Sequence, residues 1–149
     1  MAELAKNKRA YFDYEILDTF EAGLILTGQE VKSAKNNGAQ LTGAYARIIG
    51  GEVQLINAHI KPYAYASNLE SYDPTQTRKL LMHKVEIEKL TGKIQEKGLT
   101  LLPLELYTLR GKIKVKLGLG RSKKKQDKRE SIKKREDDRS IRRAMRKVK

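Results

Sequence analysis

The chain has 149 residues, with 32 Lys+Arg against 18 Asp+Glu, a net charge of +14 and no cysteine. That length suits one ordinary domain with an appendage, and the missing thiols exclude disulfides and thiolate metal sites. No apolar run approaches the roughly 20 residues of a membrane span, and Met1–Asn7 lacks a signal-peptide core. A soluble, cytoplasmic protein is expected.

The charge is unevenly placed. Arg121–Lys149 holds 15 basic and 5 acidic residues, while residues 1–120 carry only +4. A block this cationic repels itself and is not expected to fold alone. Its natural partner is a polyanion, because each Lys or Arg that meets a phosphate releases condensed counterions. The plainer alternative is a solvated or localising tail.

Along the chain, Tyr11–Leu17 alternates as a strand does, and Phe20–Thr27 is a second strand candidate in which Gly23 suits a bulge or a close backbone approach. Gln29–Asn37 predicts a short helix ended by Gly38. Tyr45–Ile49 and Glu52–Ile60 flank Gly50-Gly51, a hairpin signal because both turn positions accept φ > 0. The adjacent Leu55 and Ile56 break the alternation and suggest a bulge.

Residues 78–97 read as the main helix. Leu80, His83, Ile87, Leu90 and Ile94 form one stripe, Asp73-Pro74 precedes it and Gly98 stops it. Gly92 is a point where that helix is expected to weaken or split. Thr100–Leu109 and Lys112–Leu119 close the domain as a hairpin about Arg110-Gly111. In its second strand Ile113, Val115, Leu117 and Leu119 alternate with Lys112, Lys114 and Lys116. About six short strands with glycine-rich turns favour a mainly β fold with helices. The best single expectation is a small closed β-barrel of the oligonucleotide-binding type over residues 1–120, with flanking helices and a basic C-terminal tail over 121–149.

No catalytic constellation assembles. His59 and His83 have no metal-binding spacing and read first as structural side chains. Gly23/Gly28 and Gly38/Gly43 are followed by Gln29 and Ala44, not the Lys-Ser/Thr of a phosphate loop. No catalytic residue, metal or cofactor is expected.

Several clusters point to RNA instead. Lys112, Lys114 and Lys116 would stand about 6.6 Å apart along one strand face, close to the spacing of successive phosphates. The row leads directly into Arg121 and Lys123–Lys125, although a charged edge strand that resists aggregation would look the same. Asn7-Lys8-Arg9 and Lys32-Ser33-Ala34-Lys35 are further basic, hydrogen-bonding clusters. Tyr63, Tyr65 and Tyr72 lie near Pro62, where a ring either stacks on an unpaired base or packs internally. At Glu30 two readings stay open: an RNA contact, or capping and ion pairing at its own helix. In the tail, Ile141, Met145 and Val148 fall at i, i+4, i+7 among arginines, which predicts a segment disordered when free and helical when bound, reaching about 44 Å if fully helical.

An ordered set of motifs spans nearly the whole chain: Asn7-Lys8-Arg9-Ala10, Phe20-Glu21-Ala22-Gly23, Gly28-Gln29-Glu30-Val31-Lys32-Ser33, Asp73-Pro74 with Arg78-Lys79-Leu80-Leu81, Gly98 to Leu104, and Lys123 to Glu130. By these residues the chain resembles the small protein B family, the tmRNA-binding proteins of bacterial trans-translation. Gln29, Ala34-Lys35, Ser122 and Gln126 depart from the family's usual residues. The resemblance implies a barrel that grips the tRNA-like part of tmRNA, and a tail that enters the decoding centre and vacant mRNA channel of stalled ribosomes. Delivery would use elongation factor Tu through the tmRNA complex, with the protein catalysing nothing; apart from the resemblance, a monomer is expected. Residue by residue it implies tmRNA contact around Glu30, Lys32, Ser33 and Asn7–Arg9, a basic junction at Lys123–Lys125, and a ribosome-directed role for Asp127, Lys128 and Arg129. A ribosomal protein or assembly factor that binds rRNA is the rival from another class, and a nuclease the enzymatic one.

Overall fold

A computed structural model describes residues 2–66 and 69–123. Its elements run β1 (Ala2–Lys6), α1 (Lys8–Asp13), β2 (Tyr14–Leu24), α2 (Gly28–Lys35), β3 (Ala39–Gln40), β4 (Tyr45–Ile49), β5 (Glu52–Ile56), β6 (His59–Ile60), β7 (Arg78–Leu81), α3 (Lys84–Lys97), β8 (Thr100–Leu109) and β9 (Lys112–Ser122). Seven strands form one antiparallel sheet in the order β1-β8-β4-β5-β7-β2-β9, and β9 pairs a second time, with β8. The sheet therefore curls back on itself and is barrel-like. β3 and β6 make a separate two-stranded sheet. The core is apolar, with Val53, Leu55, Leu80, Leu101, Leu106, Val115, Leu117 and Leu119 all buried. Each such side chain removed from water contributes about 1.5–3 kcal/mol.

Strands dominate as expected, but three segments differ from the sequence reading. Tyr11–Asp13 is helical rather than extended. The Asn7 side chain accepts from the Ala10 N–H at 3.1 Å and starts α1, and Ala10 then buries beside Leu102 and Leu104. The rest of that strand candidate, Tyr14–Leu17, joins the second one, expected over Phe20–Thr27, as β2, which ends at Leu24. Its register slip falls between Ile16 and Asp18; Gly23 pairs with Leu81 and Lys114 without a bulge. β5 stops at Ile56, where Asn57 takes φ 63°, and His59–Ile60 leaves to pair with Ala39–Gln40. The broken alternation thus marks a change of sheet, not a bulge.

The third difference lies at Arg78–Leu81, which is a strand between β5 and β2 and not the start of a helix. Arg78 and Leu80 are buried while Lys79 and Leu81 face out, a period of two. Helix α3 begins at Lys84 after His83, packs through Ile87, Leu90 and Ile94, and passes Gly92 unbroken to a left-handed Gly98. The other expected features are present. Gly50-Gly51 and Arg110-Gly111 both turn with positive φ, and β9 continues past Leu119 to Ser122. On its outer face Gly118 lies under Leu104 and Ile16, and a Cβ there would sit 2.6 Å from Leu104 Cδ1.

Candidate nucleic-acid interface

The most ordered polar cluster lies beneath α2. Thr27 caps the helix and Glu30 reciprocates, its Oε1 accepting from the Thr27 N–H at 3.0 Å. Glu30 Oε2 turns inward and accepts from Arg78 Nε at 2.6 Å and Gln76 Nε2 at 3.1 Å. Both side chains of this ion pair are only 2% exposed. The rest of the Arg78 fork donates to the carbonyls of Ala58 at 2.7 Å, Gln76 at 3.1 Å and Pro74 at 2.9 Å, and to the Tyr72 hydroxyl at 3.3 Å. Burial pushes the Glu30 carboxyl up, yet the Thr27 N–H, Gln76 and Arg78 together hold it below its ordinary value. Capping and ion pairing therefore occupy this carboxylate. Arg78 was not singled out as a site residue by sequence; its one signal is a charge at a buried position of an alternating strand.

This buried pair ties α2 to the loop between β6 and β7. The loop is fastened again at its base: the Ser33 hydroxyl donates to the Lys61 carbonyl, the Lys61 N–H to the Gly38 carbonyl at 2.9 Å, and the Tyr72 hydroxyl to the Ile60 carbonyl at 2.8 Å. Asn37 takes the left-handed conformation at the end of α2, and Gly38 packs so tightly that a Cβ would lie 2.7 Å from the Ser33 carbonyl oxygen. Above this base, Lys32, Lys35 and Lys61 are exposed. Lys32 Nζ stands 5.6 Å from the centroid of the Tyr63 ring, which meets Tyr65 edge-to-face.

A second cationic region lies at the opposite termini of the described chain. Asn7 is buried, and its Nδ2 donates to the Pro103 carbonyl at 2.9 Å, locking α1 to β8. Lys8 and Arg9 are exposed, with Arg9 bridged to Asp13 at 2.9 Å. The end of the strand region returns to the same helix: the Lys123 N–H donates to the Asp13 carbonyl at 2.9 Å and its Nζ to the Tyr11 carbonyl at 3.3 Å. Arg121 bridges Glu15 at 2.6 Å. The fold thus brings Lys8-Arg9 and Arg121-Lys123 together, 112 positions apart at the Tyr11–Lys123 contact.

The lysine row of β9 has a different setting. Lys116 lies opposite Glu21 of β2 on one side and Glu105 of β8 on the other, and Lys114 lies between Gly23 and Tyr107. Tyr107 donates to Glu21 at 2.5 Å, and burial together with that carboxylate raises its hydroxyl pKa. Lys114 and Lys116 are half-buried, whereas Lys112, opposite Leu109, is exposed. Lys124, Lys125, Asp127, Lys128, Arg129, Ile141 and Met145 lie outside the described residues. His59 pairs across from Gln40, and His83 precedes α3 without a side-chain capping bond. No group of His, Asp and Glu among the described residues is placed to hold a metal ion, and no helix there is long and apolar enough to cross a membrane.

Comparison with known proteins places these features in a context. A family model described as SmpB protein matches residues 4–147. An SsrA-binding protein of Acaryochloris marina is 53% identical over 142 residues, covering 95% of this chain and 92% of its own. One from Synechococcus elongatus is 51% identical over 145 residues, covering 97% and 94%. Among solved structures, a chain described as "tmRNA-SmpB: a journey to the center of the bacterial ribosome" superposes with a TM-score of 0.66 at 47% identity, covering 85% of this chain and 92% of that one.

Proposed function

The chain belongs to the SmpB protein family, and we propose that it binds tmRNA and brings it stably onto ribosomes stalled on messages without a usable stop codon. Relatives named for binding SsrA support this, as does the tmRNA–SmpB description of the solved neighbour. The observation that carries the reading is the anchored cationic and aromatic face over the Glu30–Arg78 pair. Phosphates need exposed cations that are not already neutralised, and unpaired bases need a ring.

We assign RNA contact to Lys32 and Lys35 on that face and to Lys8 and Lys123–Lys125 at the chain's crossing point, where Arg9 and Arg121 contribute less because Asp13 and Glu15 already pair with them. Lys112 adds an exposed charge, with Lys114 and Lys116 contributing less because Glu21 and Glu105 flank the row. Asn7, Glu30 and Ser33 act from beneath, holding those cations in place. We read the barrel-like sheet, expected over residues 1–120, as a closed oligonucleotide-binding barrel whose last strand runs on to Ser122, supported by the double pairing of β9. The basic tail expected over residues 121–149 starts instead beyond β9, which ends at Ser122, and is helical in the ribosomal decoding centre and mRNA channel, with Asp127, Lys128, Arg129, Ile141 and Met145 making the ribosomal contacts. The protein works as a cytoplasmic monomer, meets elongation factor Tu through the tmRNA complex, and catalyses no reaction.

Sequencing the RNA retained on the tagged protein from cells tests the first part, with tmRNA enriched over rRNA as the expected result. Predominant rRNA would favour a structural ribosomal binder. Removing residues 126–149 should leave tmRNA binding largely intact and abolish tagging. A loss of affinity in proportion to charge, with no separate loss of tagging, contradicts the division of labour.

A further inference from the structure

The loop between β6 and β7 holds three tyrosines in two different environments. Tyr72 points inward, its hydroxyl shared among Ile60, Glu30 and Arg78. Tyr65 points outward and is 87% exposed, the most exposed large hydrophobic side chain among the described residues. Tyr63 supports it edge-to-face, with ring centroids 5.6 Å apart and planes at 68°. Hydrogen bonds tie the described backbone under them. The Ala66 N–H donates to the Tyr63 carbonyl at 3.0 Å, closing a turn over Ala64 and Tyr65, while Lys61 is bonded to α2 and to Gly38. Ala64 and Ala66 flank Tyr65 with single methyl groups, and Lys32 Nζ sits beside Tyr63.

We propose that Tyr65, supported by Tyr63 and with Lys32 alongside, is a stacking site for an unpaired nucleobase of the bound RNA. The inference rests on the RNA-binding function proposed above and adds the ligand class of one site. A base inside a duplex offers no free face, so a protruding ring on a hydrogen-bonded turn selects a base that has left its stack. Tyrosine loses little entropy on binding because two torsions define it. Lys32 lies one ring away and takes the phosphate next to the stacked base. Arg78 is a positioning residue here, since it reaches the RNA only through the loop it clamps. The lysine row of β9 offers no equivalent, because its nearest ring, Tyr107, is buried.

The chain contains no tryptophan, so Tyr65→Trp in the full-length protein provides a single indole reporter. Its fluorescence should be quenched by tmRNA and not by a blunt RNA duplex brought to the same bound fraction. Tyr65→Ala should bind tmRNA about tenfold more weakly at an unchanged salt slope, and Tyr65→Phe within about twofold of the unmodified chain. An unaltered indole signal with tmRNA bound overturns the site, as does equal quenching by the duplex or full affinity in Tyr65→Ala. Failure of the unmodified chain to bind tmRNA at all is a separate result, which removes the proposed function and this site with it.

Discussion

The α2 face and the outer face of β9 each present closely spaced lysines, Lys32 and Lys35 on one, Lys114 and Lys116 on the other, but their acidic neighbours lie in different places. Under α2 the nearby acid, Glu30, is buried and already neutralised by Arg78. Its charge does not reach the surface where Lys32 and Lys35 stand exposed. Around Lys116 the acids Glu21 and Glu105 occupy the facing positions of the two neighbouring strands. Charges on one solvated face offset each other over a few ångströms, long before a Debye length of about 8 Å at physiological salt. Lysine spacing alone therefore does not define a phosphate site. The position of the counter-charge does.

The largest test of this contrast is Arg78→Met. It leaves the Glu30 carboxylate buried and unpaired, and unfolding in urea should show a loss of about 3–5 kcal/mol. Glu105→Gln on the β9 face removes an acid in a half-exposed setting and should stay within about 0.5 kcal/mol. Equal losses would mean that the buried pair is not the keystone of its face.

Gly38→Ala ranks next. Its new methyl meets the Ser33 carbonyl oxygen at 2.7 Å, a backbone atom that cannot turn aside. Destabilisation of about 2 kcal/mol is expected from thermal unfolding, with a loosened β6–β7 loop visible as faster amide exchange at Lys61. Gly118→Ala meets the Leu104 and Ile16 side chains instead of backbone, so a smaller loss of about 1 kcal/mol is expected and no effect on the loop.

Acid provides a subtler comparison. Glu30 has a depressed pKa in the fold, so its contribution is fully present above the ordinary carboxylate value near 4.5 and is lost as pH falls through its lower folded value. The stability gap between the unmodified chain and Glu30→Gln should be constant at neutral pH and shrink below about pH 4. A gap independent of pH down to 2 would contradict an ionised Glu30 in the fold.

Local chemistry made much of this fold legible in the sequence. Gly50-Gly51, Arg110-Gly111 and Gly98 announced their turns because positive φ is a property of single residues, and the clean alternation of β9 placed its core side correctly. Two segments misled for a physical reason. Leu80 belongs equally well to a helical stripe with Ile87 and to a four-residue strand, and only pairing with β5 and β2 decides. Tyr11–Asp13 alternates like a strand, but the Asn7 cap and burial of Ala10 select a helix. At the candidate site the exposed cations were visible, while the features that rank them were not. Arg78 acts on a carboxylate 48 positions away, and the acids beside Lys116 come from two other strands. Such relations exist only once register is set.

The most direct test of the account is the salt dependence of tmRNA affinity in three proteins: the unmodified chain, Lys32→Met with Lys35→Met, and Lys114→Met with Lys116→Met. Each lost phosphate contact lowers the log–log slope by about 0.7–0.9. The α2 pair should flatten the slope by about 1.5 and weaken binding at 0.15 M salt. The β9 pair should change it by less than about 0.5. Equal changes, or a larger change from the β9 pair, would contradict the claim that the Glu30–Arg78 face is where this protein holds its RNA.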